Sequence, residues 1–321
     1  AAFLGLTATA LTSLVPVQQL QLQEGHTFLK VSAGADGVIR ARIGGIASMS
    51  LIVITACAPL LGWLIYKRGA PMRLMIPLAI AMCLGSILAG LLFPLTLAPI
   101  KWMLVLTVYV VLASGLPVWS LLQPRDFINS FLLYGGMLFM ITGVAVGGFS
   151  GETIQMPALN LAGGVAALGM VWPFLFITVA CGAISGFHAM VTGGTTSKQL
   201  SAERCARGVG YGGMLMEAVL SLLVIVAVGA GLSLDQYREI VYPVVKGAGS
   251  NPVLAFSMGM GSLVHNAMGI PMEYGTVFGM LMVEGFIVTT LDTAARLNRY
   301  LLEELWGVLF AISALYGSHY G

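Results

Sequence analysis

Charge is what this sequence lacks most. Lys, Arg, Asp and Glu make up 9% of its 321 residues, against roughly a quarter in an ordinary soluble domain. A chain of this size cannot bury all of its apolar surface, so a water-soluble fold needs far more polar cover. With 58% hydrophobic residues and a mean hydropathy of +0.94, that class is excluded and a hydrocarbon solvent is implied. The net charge of +2 comes without a basic block, so no nucleic-acid partner is expected. Cysteine is scarce as well. Cys57, Cys83, Cys181 and Cys205 are scattered, and no pair has metal-ligand spacing. No metal, cofactor or disulfide role is expected of them. Catalytic signatures are missing: there is no GxSxG elbow, no HExxH and no GxxxxGK[ST]. TGGTTSK at 192–198 lacks both the spacing and the preceding strand of a phosphate loop. An enzyme is therefore not expected.

What the chain has in quantity is apolar runs and glycine. A spanning helix needs about 20 mostly apolar residues. Runs near 44–66, 73–93, 102–122, 131–149, 170–192, 209–232 and 274–292 meet that requirement, and shorter ones lie near 1–17 and 305–320. The expected fold is all-α, a polytopic transmembrane bundle forming a single membrane domain over 1–321 with no soluble domain. Glycine, at 41 residues, is about twice its usual share; it permits close helix approach and local helix breaks in membrane bundles. The opening stretch reads as the exit half of a helix, and the chain as part of a longer protein.

Basic residues prefer short cytoplasmic loops. With seven spans, Lys67, Arg68, Arg73, Arg125, Lys198, Arg204, Arg207, Arg296 and Arg299 fall on one side. Lys30, Arg40, Arg42, Lys101, Arg238 and Lys246 fall on the other. This bias predicts extracytoplasmic connections at 18–43 and 233–273. It survives only if LAFSMGMGSLVHNAMGI, residues 254–270, does not span, so that stretch is read as a short re-entrant or interfacial helix.

The densest local signal is ITVACGAISGFHAMVTGGTTSKQL at 177–200. Ser185, Gly186, Thr192, Gly193, Gly194, Thr195 and Thr196 crowd around His188. Such a helix is weakly held, and the expectation is non-helical backbone near 182–196, of the kind with which discontinuous helices bind ions and substrates. The alternative is that small residues only allow tight helix packing. His188 suits a proton relay or a core hydrogen bond to a carbonyl. Lys198, at the membrane edge, is a helix-end cap, a snorkelling side chain or a substrate contact.

Glu217 interrupts the apolar run YGGMLMEAVLSLLVIV and is expected to face the bundle interior, as is Glu284 in FGMLMVEGFIVTTLDTA. Asp292 stands with Thr289 and Thr290 in an oxygen-rich cluster that suits a coupling cation, or else pairs with Arg296 four residues on. Arg125 and Asp126 read as a cytoplasmic hairpin between two helices, stopped by Pro124 and capped by Asp126 or Asn129.

Several segments resemble the carbon starvation protein A family of bacterial membrane transporters. They are APLLGWLIYKRG at 58–69, LPVWSLLQPRDFINSFL at 116–132, FLFITVACGAISGFHAMVTGGTTSKQL at 174–200, RGVGYGGMLMEA at 207–218 and TTLDTAARLNRYLLEEL at 289–305. The resemblance implies a multi-pass protein of the bacterial inner membrane that imports peptides, or pyruvate with protons. It also implies the five-plus-five inverted-repeat core of amino acid–polyamine–organocation transporters, with the stretch around His188 as one of two unwound helices. The family's GHHFASIAGAGPI-like segment has no counterpart here. GFHAMVTGGTTSK at 186–198 stands where GFHALISSGTTPK is common, which leaves fine specificity open.

The function so implied is secondary import of a small-molecule substrate, with a proton or a sodium ion as coupling partner and lipid as surroundings. A nutrient sensor, a channel-like module and an intramembrane enzyme are the alternatives. A carrier saturates where a channel does not, and a hydrolase needs an activated nucleophile near His188 or Glu217.

Overall fold

A computed structural model describes residues 2–20, 29–33, 39–158, 160–168, 170, 172–173, 176–183, 186–243 and 250–310. In lipid every backbone polar group must be satisfied within the chain, so apolar runs of this length become helices. Those described are α1 (Ala2–Leu11), α2 (Ile43–Gly62), α3 (Met72–Leu92), α4 (Pro99–Gly115), α5 (Leu122–Phe149), α6 (Leu161–Leu168), α7 (Phe176–Ala183), α8 (Gly186–Val191), α9 (Cys205–Gly231), α10 (Leu234–Val241), α11 (Pro252–Met268) and α12 (Met272–Phe310). The chain forms a polytopic membrane helix bundle. Among the described residues, five helical stretches are long and apolar enough to cross a membrane: Ile43–Lys67, Met72–Leu92, Leu122–Phe149, Cys205–Gly231 and Met272–Val308.

The run near 102–122 folds as a helix of 17 residues, because Pro117 and the turn that follows it end α4 early. The runs near 274–292 and 305–320 are not two helices over the described residues. α12 continues from Met272 to Phe310, about 58 Å at 1.5 Å per residue. The intervening RLNRYLLEEL was expected to be a connection. It is rich in helix formers and carries an Arg299–Glu303 pair at 3.3 Å, one turn apart, so nothing in it stops the helix. Residues 311–321 lie outside the described part.

The stretch 254–270, expected to be a short re-entrant or interfacial helix, falls mostly within α11. α11 has 17 residues, about 25 Å, less than the hydrocarbon core. It is buried along nearly its whole length among α5, α9 and α12 rather than lying at an interface. Its ends are well defined. Asn251 accepts a hydrogen bond from the Leu254 N–H at 3.1 Å, and Pro252 opens the first turn. Gly269, at φ +68°, closes the helix by donating its N–H to His265 O at 2.8 Å. Two glycine pairs bring the backbones together. Gly231 of α9 meets Gly259 of α11, and Gly261 of α11 meets Gly275 of α12, so closely that a Cβ on Gly231 or Gly261 would overlap its neighbour.

Outside the bundle a small sheet accompanies the helices of this all-α fold. β1 (Val15–Pro16), β2 (Val31–Ala33) and β3 (Ile39–Ala41) form an antiparallel sheet in the order β1-β3-β2, with Val15 opposite Ala41. These strands carry Val and Ile, and pairing satisfies a backbone that no helix accommodates. Leu20, Leu29 and Ala41 pack in one buried cluster with Leu232, Val241 and Val253. Asn251 Nδ2 donates to Ser13 Oγ at 2.7 Å across the same region. The described parts of the 13–41 and 232–253 stretches thus sit at one end of the bundle.

The glycine-rich stretch departs most from expectation. α7 ends at Ala183, and residues 184–185, including Ser185, lie outside the described residues. From Gly186 the backbone is helical throughout, and no unwound segment interrupts it up to Gln199. α8 passes into a π turn at Thr192–Thr196 and a 3₁₀ turn at Ser197–Gln199. The Thr192 hydroxyl donates to His188 O at 2.9 Å and the Ser197 hydroxyl to Gly193 O at 3.0 Å. Glycine crowding here widens the helix by shifting its hydrogen-bond register rather than breaking it.

Candidate functional site

Two features converge where α4, α5, α12 and the π turn meet: a buried ionic network and the cleft beside it. α4 ends at Gly115, the chain turns through Leu116–Leu121, and α5 begins at Leu122. The first turn of α5 was expected to be a solvated hairpin capped by Asp126 or Asn129. No side chain caps it. Arg125 is instead fully buried, and its Nη1 stands 2.6 Å from Asp292 Oδ2, which is equally buried. Tyr109 of α4 completes a triangle. Its hydroxyl accepts from Arg125 Nη1 at 2.5 Å and donates to Asp292 Oδ2 at 2.8 Å. Arg125 Nη2 donates to Thr289 Oγ1 at 3.1 Å, and Thr289 donates to Asp126 Oδ1 at 2.8 Å. The guanidinium thus serves two carboxylates, one directly and one through a hydroxyl. A buried ion pair is tolerable only when its donors and acceptors are matched, and here the match is partial: Arg125 Nε and Asp292 Oδ1 have no hydrogen-bond partner among the described residues.

Asp292 does not take Arg296 as its hydrogen-bonded partner. Arg296, also buried, turns its Nη2 to Ala113 O at 3.0 Å and Leu116 O at 2.7 Å. Those carbonyls belong to the exit of α4, where a helix leaves acceptors unsatisfied and a cation is favoured.

Beside this network opens a cleft of about 1330 Å³. Gly193, Gly194 and Lys198 line it from the π-turn segment, Leu116 and Pro117 from the α4–α5 turn, and Arg296, Arg299 and Tyr300 from α12. A cleft this size is large enough for a small molecule with its water. Its lining sets Lys198, Arg296 and Arg299 against Glu303 and Glu304, a small positive excess, and Arg299 is paired with Glu303 at 3.3 Å. Arg299 also stacks over the Tyr300 ring at 4.9 Å.

The sequence-derived candidates fall into three groups. Arg125, Asp126, Thr289 and Asp292 form one network, and Gly193, Gly194 and Lys198 line the cleft. Others stand apart. Thr290 donates to Phe286 O at 2.9 Å, within its own helix. Thr195 Oγ1 is buried without a hydrogen-bond partner among the described residues, and Thr196 is half-buried. Gly186 opens α8, and His188 and Thr192 are exposed on it and the π turn. Glu217 was expected to face the interior but is exposed on α9. No hydrogen bond or ion pair joins His188 and Glu217 among the described residues. Three participants were not singled out as site residues by the sequence reading. Tyr109, with Thr107, is one of two polar groups in the apolar run LVLTVYVVLA, and that was its signal. Arg299 and Tyr300 were hidden by being assigned to a connection.

A family model described as carbon starvation protein CstA matches residues 1–248 and 232–317. The peptide transporter CstA of Escherichia coli (strain K12) is 33% identical over 266 residues, covering 68% of this chain and 37% of that protein. The peptide transporter CstA of Bacillus subtilis (strain 168) is 34% identical over 231 residues, covering 64% and 38%. The pyruvate/proton symporter BtsT of Escherichia coli (strain K12) is 30% identical over 262 residues, covering 62% and 36%. The chain therefore spans little more than a third of the length of these relatives. No solved structure matches the chain.

Proposed function

The chain belongs to the carbon starvation protein CstA family, and on that footing we propose that it serves secondary active import of peptides or pyruvate-like carboxylates across a bacterial inner membrane, coupled to protons. The observation that carries this reading is the cleft between the π turn and α12, whose lining carries three cations against two acids. Both named substrate classes share a carboxylate, and Lys198 and Arg299 offer it charge-assisted donors at the mouth of the bundle. Beneath them Arg125, Tyr109, Thr289 and Asp292 form a switchable joint: Arg125 Nη1 reaches both the Tyr109 hydroxyl and Asp292, and the Thr289 hydroxyl reaches both Asp126 and Gly285 O.

The inverted-repeat architecture belongs to the same proposal. Its support here is the register change at Thr192–Thr196, a local irregularity of the kind found at functional sites in helices. We place the 18–43 and 233–273 stretches on the extracytoplasmic side, in keeping with the basic-residue bias and with the packing of Leu20 and Leu29 against Val241 and Val253. His188, Thr192 and Glu217 are assigned to the wall of the substrate or ion pathway.

Uptake in proteoliposomes tests the reading. Labelled pyruvate and a labelled dipeptide are offered with an inward proton gradient, an inward sodium gradient or neither. Saturable accumulation of either substrate driven by the proton gradient is the expected result. Linear, unsaturable flux would make the protein a channel, and accumulation driven by sodium alone would replace the coupling ion.

A further inference from the structure

Glu284 belongs neither to the cleft nor to the Arg125 network. It stands about two turns before Asp292 on α12 and is 1% exposed. Neither of its carboxyl oxygens has a hydrogen-bond partner among the described residues. It borders a cavity of about 10 Å³ shared with Asn129 of α5 and Ser50 of α2. Asn129 is buried too, and its Nδ2 likewise has no partner among the described residues. Gly285 is what admits Asn129 to this place, because a Cβ there would stand 2.8 Å from Nδ2 and 2.9 Å from Cγ. Behind the cavity, Ser86 donates to Cys83 O at 2.7 Å, so Ser50 is left to donate to Ser86 at 2.9 Å. Ser50 therefore presents only an acceptor to the cavity.

The surrounding elements bring no counter-charge. On α5, Arg125 and Asp126 are engaged with Tyr109, Thr289 and Asp292. On α11, His265 Nδ1 lies 2.9 Å from Ile270 O. α2 contributes Cys57, α3 contributes Cys83 and the exposed Arg73, α5 also contributes the exposed Tyr134, α8 contributes the exposed His188, and α4 contributes Tyr109 and Lys101. None of these makes a hydrogen bond or an ion pair to Glu284 among the described residues. An ionised carboxylate here would have neither a cation nor a full set of donors, whereas the neutral acid needs only one acceptor for its proton. A cavity of this size takes about one water.

We propose that Glu284 is the proton-binding group of the transport cycle, held as a neutral acid in the bundle interior, with Asn129 and a single cavity water as the route by which its proton arrives and leaves. On loading, a hydrated proton gives up H⁺ to a carboxylate oxygen and water remains. On release, the O–H bond breaks and water takes the proton back, while the Asn129 amide donates to the carboxylate left behind. The coupling role rests on the transport reading above; the neutral acid stands on the geometry alone.

The experiment therefore has two readouts. Infrared spectroscopy of the purified protein in lipid at neutral pH should show a protonated-carboxyl C=O band. That band should persist in Asp292→Asn and be lost in Glu284→Gln, a substitution of nearly the same size. Absence of the band from the unmodified protein, or its survival in Glu284→Gln, overturns the assignment whether or not any variant transports. In proteoliposomes Glu284→Gln should keep substrate exchange and lose accumulation driven by the proton gradient. Accumulation at the parent level, or accumulation that follows sodium, overturns the coupling role. A parent protein that transports under no gradient would defeat the functional reading, while the infrared band would still decide the site.

Discussion

Arg125 of α5 and Asp292 of α12 meet at 2.6 Å with neither side chain exposed, and Tyr109 of α4 hydrogen-bonds to both. Three helices are thereby joined at one ionic point. Removing either charge leaves the other buried and uncompensated, at a cost of about 3–5 kcal/mol. Arg125→Ala and Asp292→Ala should each lower the unfolding temperature in detergent sharply. The double variant Arg125→Leu, Asp292→Leu should lose clearly less than the sum of the two single losses. Tyr109→Phe should cost only about 1 kcal/mol, because the ion pair survives it. Additive losses in the double variant would mean that the pair does not act as a unit.

Lys198 and Arg299 are predicted to act on substrate rather than on folding. Each lines the cleft without being fully buried. Loss of a hydrogen bond to a charged group costs about 1.5–3 kcal/mol, roughly a tenfold or greater loss of apparent affinity. Lys198→Ala or Arg299→Ala should raise KM for pyruvate or a dipeptide by that factor at nearly constant unfolding temperature. Arg296→Ala should instead destabilise the protein, since that side chain holds Ala113 O and Leu116 O at the end of α4. Unchanged KM in both cleft variants would remove the cleft from the substrate path.

Sidedness is open to direct labelling. In a background without Cys57, Cys83, Cys181 and Cys205, single cysteines at Asp235 and Arg204 are both exposed positions. A membrane-impermeant thiol reagent should reach Asp235→Cys only from the extracytoplasmic side and Arg204→Cys only from the cytoplasm. Labelling of both from one side would refute the assigned topology.

The glycine crossing between α11 and α12 makes a fourth prediction. A Cβ on Gly261 would lie 2.7 Å from Met272 O and 3.0 Å from the Thr276 amide nitrogen, both backbone atoms that cannot swing aside. Gly261→Ala should cost about 1–3 kcal/mol, the range of core overpacking. Gly212→Ala, on an open face of α9 with nothing within 4 Å, should be neutral or slightly stabilising. Equal unfolding temperatures for the two variants would contradict the close crossing.

Hydropathy made the bundle legible, because spans such as 44–66 and 209–232 are set by composition alone. The tertiary context was not. PRD at 124–126 reads as a turn, and nothing nearby announces that Arg125 will be buried against Asp292 from a distant helix. Glu217 and Glu284 look alike in sequence, each a single acid in an apolar run, yet one is exposed and the other enclosed. Which face a helix buries depends on its neighbours, and here the apolar residues on all sides erase the periodic signal. Glycine crowding at 186–194 was visible, but the same residues permit a break or a wider turn, and only the backbone distinguishes them.

The length of α12 has a mechanical consequence. Glu284, Asp292, Arg296 and Arg299 sit along one uninterrupted rod, with no loop between them to absorb motion. A tilt or screw of that rod delivered at the cleft is delivered at the same moment to the Arg125 joint and to the enclosed acid. On the proposed reading, an anion at one station and a proton at another would bias the same rigid body, and each would alter the affinity for the other by the same factor. Cotransport so built would require no chain of relayed contacts between the two ligands; the shaft that carries both sites would itself be the coupling.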